Sequence, residues 1–141
     1  MTMWRNRIIF ALAFCGIGVS LYALSQHYSD GPSFCDISER FSCEVVNRGP
    51  WSELFGIPVA LMGVIGYAAI AIISWARHKK KEILLVVFVA GGLLFSAYLT
   101  YLEAFVIFMW CPICIGSAGI MSALGIAVAA PYVTARSRRK A

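Results

Sequence analysis

The sequence predicts an all-α membrane protein, a four-transmembrane-helix bundle with its N- and C-termini in the cytoplasm. Composition is the first reason: the 141 residues are 60% hydrophobic and 13% charged, with a mean hydropathy of +0.78. An ordinary soluble domain is about 25% charged. The other two reasons are four long apolar stretches and the clustering of the cations beside them. We therefore expect a single membrane domain over residues 1–141.

Four apolar stretches reach the length of about 20 residues that a helix needs to cross the hydrocarbon core of a bilayer. They cover residues 8–26, 57–76, 83–109 and 112–133. Helices are predicted because a chain inside lipid must satisfy its own backbone hydrogen bonds. The sequence also lacks the period-two alternation of a membrane β-barrel. The connecting segments are an outer loop at 27–56 and a short cytoplasmic loop at 77–82.

Ten of the twelve cations form three clusters that flank the apolar stretches. The clusters are Arg5 and Arg7; Arg77, Lys79, Lys80 and Lys81; and Arg136, Arg138, Arg139 and Lys140. With four spans all three clusters fall on one side of the membrane, which the positive-inside rule makes cytoplasmic. The distribution argues against a nucleic-acid partner, which needs its cations on one accessible surface. It predicts an integral multi-pass protein with its outer loop beyond the cytoplasm.

This topology places four of the five cysteines on the outer side. Cys35 and Cys43 lie in the outer loop, Cys111 and Cys114 open the last helix, and Cys15 alone lies within a span. Disulfides form and persist outside the cytoplasm. We therefore expect the outer thiols either to cycle or to form structural bridges, and Cys15 to act as a small buried hydrophobe.

The motif Cys111-Pro112-Ile113-Cys114 has the position of a reactive dithiol. Pro112 suits the first position of a helix, and a spacing of three puts both sulfurs on one helical face. The electropositive helix N-terminus stabilises a thiolate, and Cys-x-x-Cys thiols there have lowered pKa values. Cys35 and Cys43 lie in a polar loop that we expect to be flexible. The two pairs together predict a relay by thiol–disulfide exchange.

Other uses of the four cysteines fit the sequence less well. The seven residues between Cys35 and Cys43 exceed the usual gap of about two to four in a zinc site, so no metal is expected. Haem attachment needs His directly after Cys-x-x-Cys, where this chain has Ile115. A non-enzymatic four-span protein with two structural disulfides remains an alternative, although a Cys111–Cys114 bridge closes a very short loop and contributes little stability.

The order of these motifs resembles the vitamin K epoxide reductase family over nearly the whole chain. The matching parts are Cys35-Asp36 through Ser42-Cys43, the segment Ser-Glu-Leu-Phe-Gly-Ile-Pro at 52–58, and the segment Tyr-Leu-Thr-Tyr-Leu-Glu at 98–103 before the Cys-Pro-Ile-Cys motif. The short stretch between Cys43 and Phe55 is similar to that of prokaryotic members, and no fused thioredoxin-like domain is expected. The bacterial disulfide bond formation protein B family differs, because its Cys-x-x-Cys lies in the first outer loop.

The resemblance implies a quinone-dependent thiol–disulfide oxidoreductase in a prokaryotic cytoplasmic membrane, with its active site on the outer face. Cys111 and Cys114 would be the active-site pair, with Cys114 nearest the quinone. Cys111 would exchange with Cys43, while Cys35 meets the thiol partner. That partner would be a separate thioredoxin-like thiol oxidase outside the cytoplasm, and the acceptor a quinone of menaquinone or ubiquinone type. The system would support disulfide bond formation.

The resemblance also assigns residues to a quinone pocket. Ser52, Phe55 and Gly56 match the family segment that lines it. Vertebrate members have Asn in place of Ser52 and Tyr in place of Ala118, and both positions touch the quinone or its antagonists there. Because this chain departs from them at both positions, a vitamin K quinone or epoxide reductase proper is only the alternative function.

Glu103 is the one acidic residue inside a predicted span, and an ionisable group there is a functional candidate by default. It lies about six residues, roughly 9 Å, from the outer end of its helix, so its side chain could simply reach interfacial water. The functional alternatives are proton delivery to the reduced quinone and orientation of Tyr98 or Tyr101. Glu103 joins the candidate quinone-site residues.

Overall fold

The computed structural model describes residues 2–31, 34 and 36–141, apart from the side chain of Thr2. This part of the chain is mostly helical, as predicted. Its α-helices are α1 (Thr2–Tyr28), α2 (Cys43–Arg48), α3 (Val59–Trp75), α4 (Lys81–Tyr101) and α5 (Pro112–Lys140). Strands β1 (Glu53–Leu54) and β2 (Ile57–Pro58) pair as an antiparallel hairpin before α3. A π-helical turn, Leu102–Ile107, continues α4.

Three helical stretches in the described part of the chain are long and apolar enough to cross a membrane: Met3–Tyr28, Lys81–Ile107 and Pro112–Lys140. Helix α3 is apolar but shorter. Its 17 residues span about 26 Å, against a hydrocarbon core of about 30 Å. It is shorter than the predicted span 57–76 because Ile57 and Pro58 form a strand, with Pro58 in an extended conformation at the helix N-cap. Four spans remain a prediction.

Helices α1 and α3 run antiparallel in close contact, and small residues permit that approach. Gly16 packs against the ring of Tyr67, so closely that a β-carbon on Gly16 would lie 2.3 Å from the ring. Gly63 on α3 packs in the same way against the hydroxyl of Ser20. The Tyr67 hydroxyl donates to the Ser117 carbonyl oxygen at 2.8 Å, which joins this pair of helices to α5.

Helices α4 and α5 form the second antiparallel pair. Gly92 lies against the side chain of Met121, and Gly125 lies against Leu93. The core between the two pairs is formed by buried apolar side chains from all four long helices. They are Ile9, Ala13, Tyr67, Ile70, Ala71, Leu85, Val89, Met121, Leu124 and Val128. The result is a four-helix bundle whose remaining helical faces are apolar and exposed.

The two ends of the bundle differ in charge. Arg5 at the start of α1 is paired with Glu82 at the start of α4. Lys81 donates to the Ser74 carbonyl oxygen at the end of α3, and α5 runs back beside α4 to end in Arg138, Arg139 and Lys140. The three basic clusters therefore share one end, as the charge pattern predicted. The opposite end holds α2, the hairpin and the start of α5.

Candidate redox-active site

Two cysteines from distant parts of the chain meet at the end of the bundle opposite the basic clusters. The Sγ atom of Cys111 lies 3.2 Å from the Sγ atom of Cys43, and both residues have no solvent-exposed surface. Cys43 is disulfide-bonded, whereas Cys111 and Cys114 are free thiols. A free thiol therefore touches a disulfide sulfur, which is the contact that thiol–disulfide exchange requires. Cys35 lies outside the described residues.

Cys43 is held in place by the hydrogen bonds of the residue before it, Ser42. It is the first residue of α2, where Ser42 is the N-cap and its Oγ accepts a hydrogen bond from Val45 N–H. The Ser42 hydroxyl donates to the Asp36 carboxylate at 2.7 Å, and the Ser42 N–H donates to the carbonyl oxygen of Trp110. The flexible loop expected around Cys43 is thus a short capped helix, because these hydrogen bonds pin it beside the turn before Cys111.

Cys111 and Cys114 sit at the N-terminus of α5, as the Cys-Pro-Ile-Cys motif predicts. Cys111 is the N-cap, Pro112 occupies the first turn, and the carbonyl oxygen of Cys111 accepts from Ile115 N–H at 3.0 Å. A hydrogen bond from the Cys114 thiol lowers the pKa of Cys111, and this effect outweighs the opposing effect of burial. Cys111 is therefore more acidic than Cys114, and its thiolate is suited to exchange with Cys43.

Asn47 is a polar residue of the site that the sequence did not single out. It lies one helical turn after Cys43, is 8% exposed, and its Nδ2 atom donates to Cys111 Sγ at 3.8 Å. Its carbonyl oxygen is 2.6 Å from the His27 ring at the end of α1. The i, i+4 spacing of Cys43 and Asn47 was the available signal, but it has meaning only if residues 43–48 are helical.

Glu103 lies in the π-helical turn and is only 3% exposed. Its Oε2 atom accepts a hydrogen bond from the Cys111 N–H at 3.2 Å, and its carboxyl group also hydrogen-bonds the Cys114 side chain. The expectation that this side chain reaches interfacial water is wrong, because the π-turn directs it inward onto the cysteines. Tyr98 and Tyr101 are exposed, and Glu103 instead contacts the backbone of Cys111 and the side chain of Cys114.

We call Cys111 and Cys114 the inner cysteine pair, and Cys35 and Cys43 the outer pair. A cavity of about 120 Å³ lies between α1, α3, α4 and α5, directly beside Cys114 of the inner pair. Cys114 and Glu103 stand on its wall, which is otherwise mostly apolar, with Leu99 and Phe95 from α4 among its residues. Ala118, the position that is Tyr in vertebrate members, also lines it. Ser52 lines a smaller adjoining cavity together with Glu103 and Cys114.

The other two residues assigned to a quinone pocket lie apart from these cavities. Phe55 and Gly56 form the two-residue turn between β1 and β2, with φ angles of 55° and 79°. Both angles are positive, as a type I′ hairpin turn requires. Phe55 is 96% exposed, and neither residue lines either of the two cavities beside Cys114. Cys15 is also exposed, on the outer surface of α1, and not buried as expected.

A bundle of apolar helices with a buried thiol against a disulfide defines a class, the membrane redox proteins that act through paired cysteines. The profile of the vitamin K epoxide reductase family matches residues 7–129. The chain belongs to that family, as its motifs indicated. Members of the family are oxidoreductases, and membership supports a membrane redox function related to that of vitamin K epoxide reductase.

Two mammalian proteins are similar to this chain over most of their length. Vitamin K epoxide reductase complex subunit 1 of Rattus norvegicus is 26% identical over 143 residues, which cover 87% of this chain and 89% of the rat protein. The protein of the same name from Mus musculus is 26% identical over 142 residues, covering 84% of this chain and 86% of its own. The similarity therefore includes the helices and the cysteine region together.

Proposed function

We propose that this protein is a quinone-dependent thiol–disulfide oxidoreductase of a prokaryotic cytoplasmic membrane. It would reoxidise a separate thioredoxin-like protein outside the cytoplasm, pass the electrons to a membrane quinone of menaquinone or ubiquinone type, and so support disulfide bond formation. The observation that carries the proposal is the 3.2 Å contact between Cys43, which is in a disulfide, and the free thiol of Cys111. A purely structural disulfide has no need of a second, reduced pair against it.

The proposed orientation places the basic end of the bundle in the cytoplasm and the cysteines on the outer face, with α3 as a fourth, short span. The charge pattern supports this, because Arg5, Lys81 and the end of α5 lie at one end and the positive-inside rule assigns such an end to the cytoplasm. A span shorter than the bilayer core is tolerated by local thinning of the membrane at modest cost.

The relay proceeds through two disulfide exchanges. A thiolate of the partner attacks Cys35 in a Cys35–Cys43 disulfide and releases the Cys43 thiolate, which attacks Cys111 in the inner disulfide and releases the Cys114 thiolate. The second partner thiol then forms the partner's own disulfide and frees Cys35. Cys35 attacks Cys43, restores the outer disulfide and releases Cys111. The inner pair now holds two electrons, and the described redox state, with Cys43 in a disulfide and Cys111 and Cys114 free, corresponds to this point.

The residues around Cys114 fit a quinone. A bound quinone would supply a two-electron, two-proton acceptor. The cavity is mostly apolar, as a prenylated ring requires, and Cys114 stands on its wall. Ser96 and Thr100 from α4 and Asn47 from α2 are polar side chains of the wall that would meet the ring oxygens. Phe55 and Gly56 remain predicted quinone-site residues from the family resemblance alone, whereas Ser52 also lines the smaller cavity beside Cys114.

Reduction of vitamin K quinone or its epoxide is the second candidate, favoured by the names of the two mammalian relatives. One assay separates the candidates: purified protein is given a dithiol donor together with a short-chain ubiquinone, menadione or vitamin K epoxide. We expect turnover with the quinones and no reduction of the epoxide. No dithiol-dependent turnover with any acceptor, combined with disulfides that resist mild reductant, would instead support the non-enzymatic four-span alternative.

A further inference from the structure

Glu103 connects the two inner cysteines. One carboxyl oxygen accepts the backbone N–H of Cys111 at 3.2 Å, and the same carboxyl group hydrogen-bonds the side chain of Cys114. Among the described residues that line the cavity, Glu103 is the only one with a carboxyl group. It therefore binds both cysteines, at the backbone of Cys111 and at the side chain of Cys114, and also lines the cavity proposed for the acceptor.

The surroundings of Glu103 suit a group that moves a proton. Within the described part of the chain no Lys, Arg or His forms an ion pair with it, so no fixed cation locks it in the ionised form. The titratable groups beside it are Cys111 and Cys114 from the start of α5, with Tyr67 of α3 on the cavity wall. From α2 it is faced by Asn47, which is uncharged. An ionisable group held this deeply in a predicted span is a functional candidate by default.

We propose that Glu103 is the proton-transfer residue of the inner cysteine pair: it takes the proton of the Cys114 thiol and gives it to the acceptor in the adjoining cavity. This inference rests on the proposed function. It extends the role expected from sequence, which was proton delivery to the reduced quinone or orientation of nearby tyrosines, because it names the Cys114 thiol as the source of the proton.

The step balances in atoms and charge. The Cys111 thiolate and the Cys114 thiol form the inner disulfide, and two electrons leave for the quinone. Glu103 takes the Cys114 proton as the S–S bond forms and passes it to one oxygen of the reduced quinone. The other oxygen takes a proton from water. The partner dithiol gave two protons to water as it was oxidised, and these replace this proton and the one that the released Cys114 thiolate took up from water to become a thiol. Glu103 ends as it began, and one hydroquinone is formed.

The test compares the wild-type protein with Glu103→Gln in two measurements. The first is single-turnover oxidation of the pre-reduced inner pair by menadione, followed by trapping of free thiols. The second is the rate at which N-ethylmaleimide modifies Cys114 without any quinone. The Gln variant keeps an oxygen for the Cys111 N–H but cannot carry a proton. We expect oxidation to fall by about 100-fold or more, within the range for general acid–base catalysis.

Alkylation of Cys114 should change in the opposite direction. Loss of the carboxylate removes a hydrogen-bond acceptor that holds the thiol proton and a negative charge that repels the thiolate, so the variant should be modified faster. Loosened packing would also expose Cys114 and speed its alkylation, so the conservative variant Glu103→Asp distinguishes the two causes. Glu103→Asp, which keeps a carboxyl group, should recover part of the oxidation rate. Glu39→Gln, at an exposed position of the outer segment, should change neither rate.

The outcomes separate the inference from the function on which it rests. Unchanged oxidation in Glu103→Gln, or a parallel fall of both rates, overturns proton transfer by Glu103. If the wild-type protein itself is not oxidised by any quinone, the proposed function fails. The alkylation rates then decide alone whether Glu103 controls the proton of Cys114, and equal rates for wild type and Glu103→Gln overturn that control as well.

Discussion

The Sγ atoms of Cys43 and Cys111 lie 3.2 Å apart although the two cysteines are 68 positions apart in the chain. The contact is made by two rigid elements, the capped start of α2 and the N-terminus of α5, which are joined by hydrogen bonds between the backbones of residues 40–42 and Trp110. Exchange between the pairs therefore needs only a small rearrangement at the sulfurs. Transfer to an external partner must occur through the outer segment.

The order of exchange predicts a trapped intermediate. In Cys114→Ala the Cys111 thiolate can attack Cys43 in the Cys35–Cys43 disulfide and release Cys35, and no Cys114 thiol is present to displace Cys43 from Cys111, so a Cys43–Cys111 disulfide should accumulate. Peptide mapping by mass spectrometry under non-reducing conditions would detect it. Cys15→Ala, at the exposed free cysteine of α1, should leave the native pairing unchanged. Recovery of only a Cys35–Cys43 bridge from the Cys114→Ala protein would contradict the proposed order.

The acidity of Cys111 should depend on Cys114. A hydrogen bond from the Cys114 thiol lowers the pKa of Cys111, while burial opposes it. In a Cys43→Ser background, which prevents trapping, Cys114→Ala should therefore raise the pH at which Cys111 reacts with iodoacetamide. Below the ordinary thiol range the protein with Cys114 should react faster, because more of its Cys111 is thiolate.

Cys114→Ser is the matched control for that measurement. Its hydroxyl can still donate to Cys111, so the pH profile should stay closer to that of the protein with Cys114. Identical profiles for the Ala and Ser variants would show that the acidity of Cys111 has another source, such as the N-terminus of α5.

Asn47 should assist exchange at Cys111. Its amide donates to Cys111 Sγ, and a hydrogen bond of this kind contributes about 0.5 to 1.5 kcal/mol. Asn47→Ala should therefore slow electron transfer from the outer to the inner pair by about twofold to tenfold, measured by stopped-flow mixing with a dithiol and acid quenching. Glu44→Ala, on an exposed position of the same helix, is the control. An equal effect of both substitutions would point to loss of α2 structure.

The contact between α1 and α3 makes Gly16 sensitive to any added side chain. A β-carbon there would lie 2.3 to 2.6 Å from three ring atoms of Tyr67, and overpacking of this kind costs about 1 to 3 kcal/mol. Gly16→Ala should reduce the free energy of unfolding by that amount in a detergent titration. Gly18→Ala, two residues along the same helix with nothing within 4 Å of the new atom, should not. Equal stabilities for the two variants would contradict the packing described.

The hairpin turn offers a test of Phe55. Its positive φ of 55° is unfavourable for a large side chain, and Asn is the residue that type I′ turns prefer at this position. Phe55→Asn should increase the free energy of unfolding by about 1 kcal/mol, whereas Gly56→Ala should decrease it. If Phe55 also contacts the quinone as the family resemblance predicts, the KM for menadione will rise in Phe55→Asn. A stability that does not change would show that the turn is unstrained.

The long helices and the N-terminus of α5 could be predicted because their signals are local. Apolar length identifies a span, and Cys111-Pro112 has the pattern of a helix start. The start of the second apolar stretch is harder to predict, since Ile57 and Pro58 are apolar but pair with β1. Hydropathy does not distinguish an apolar strand residue from the first turn of a helix.

The details of the site could not be predicted, because they depend on contacts between distant residues. Helix α2 is only six residues long and too short to be stable alone; it forms through its cap at Ser42 and its contacts with α1. Asn47 belongs to the site only once that helix exists. The inward direction of Glu103 depends on the π-helical turn, which hydrophobic periodicity does not reveal.

That π-helical turn makes the site sensitive to the deletion of a single residue between 102 and 107. A π-turn accommodates one more residue than an α-helical turn, and each residue of an α-helix advances the side chains by about 100°. Deletion of a single codon among those for residues 102–107 would restore a regular helix and change the direction of every side chain on one side of the deletion relative to Cys111. Deletion of one residue from this turn could therefore move the Glu103 carboxyl group away from Cys111 and Cys114 without changing any of the four cysteines.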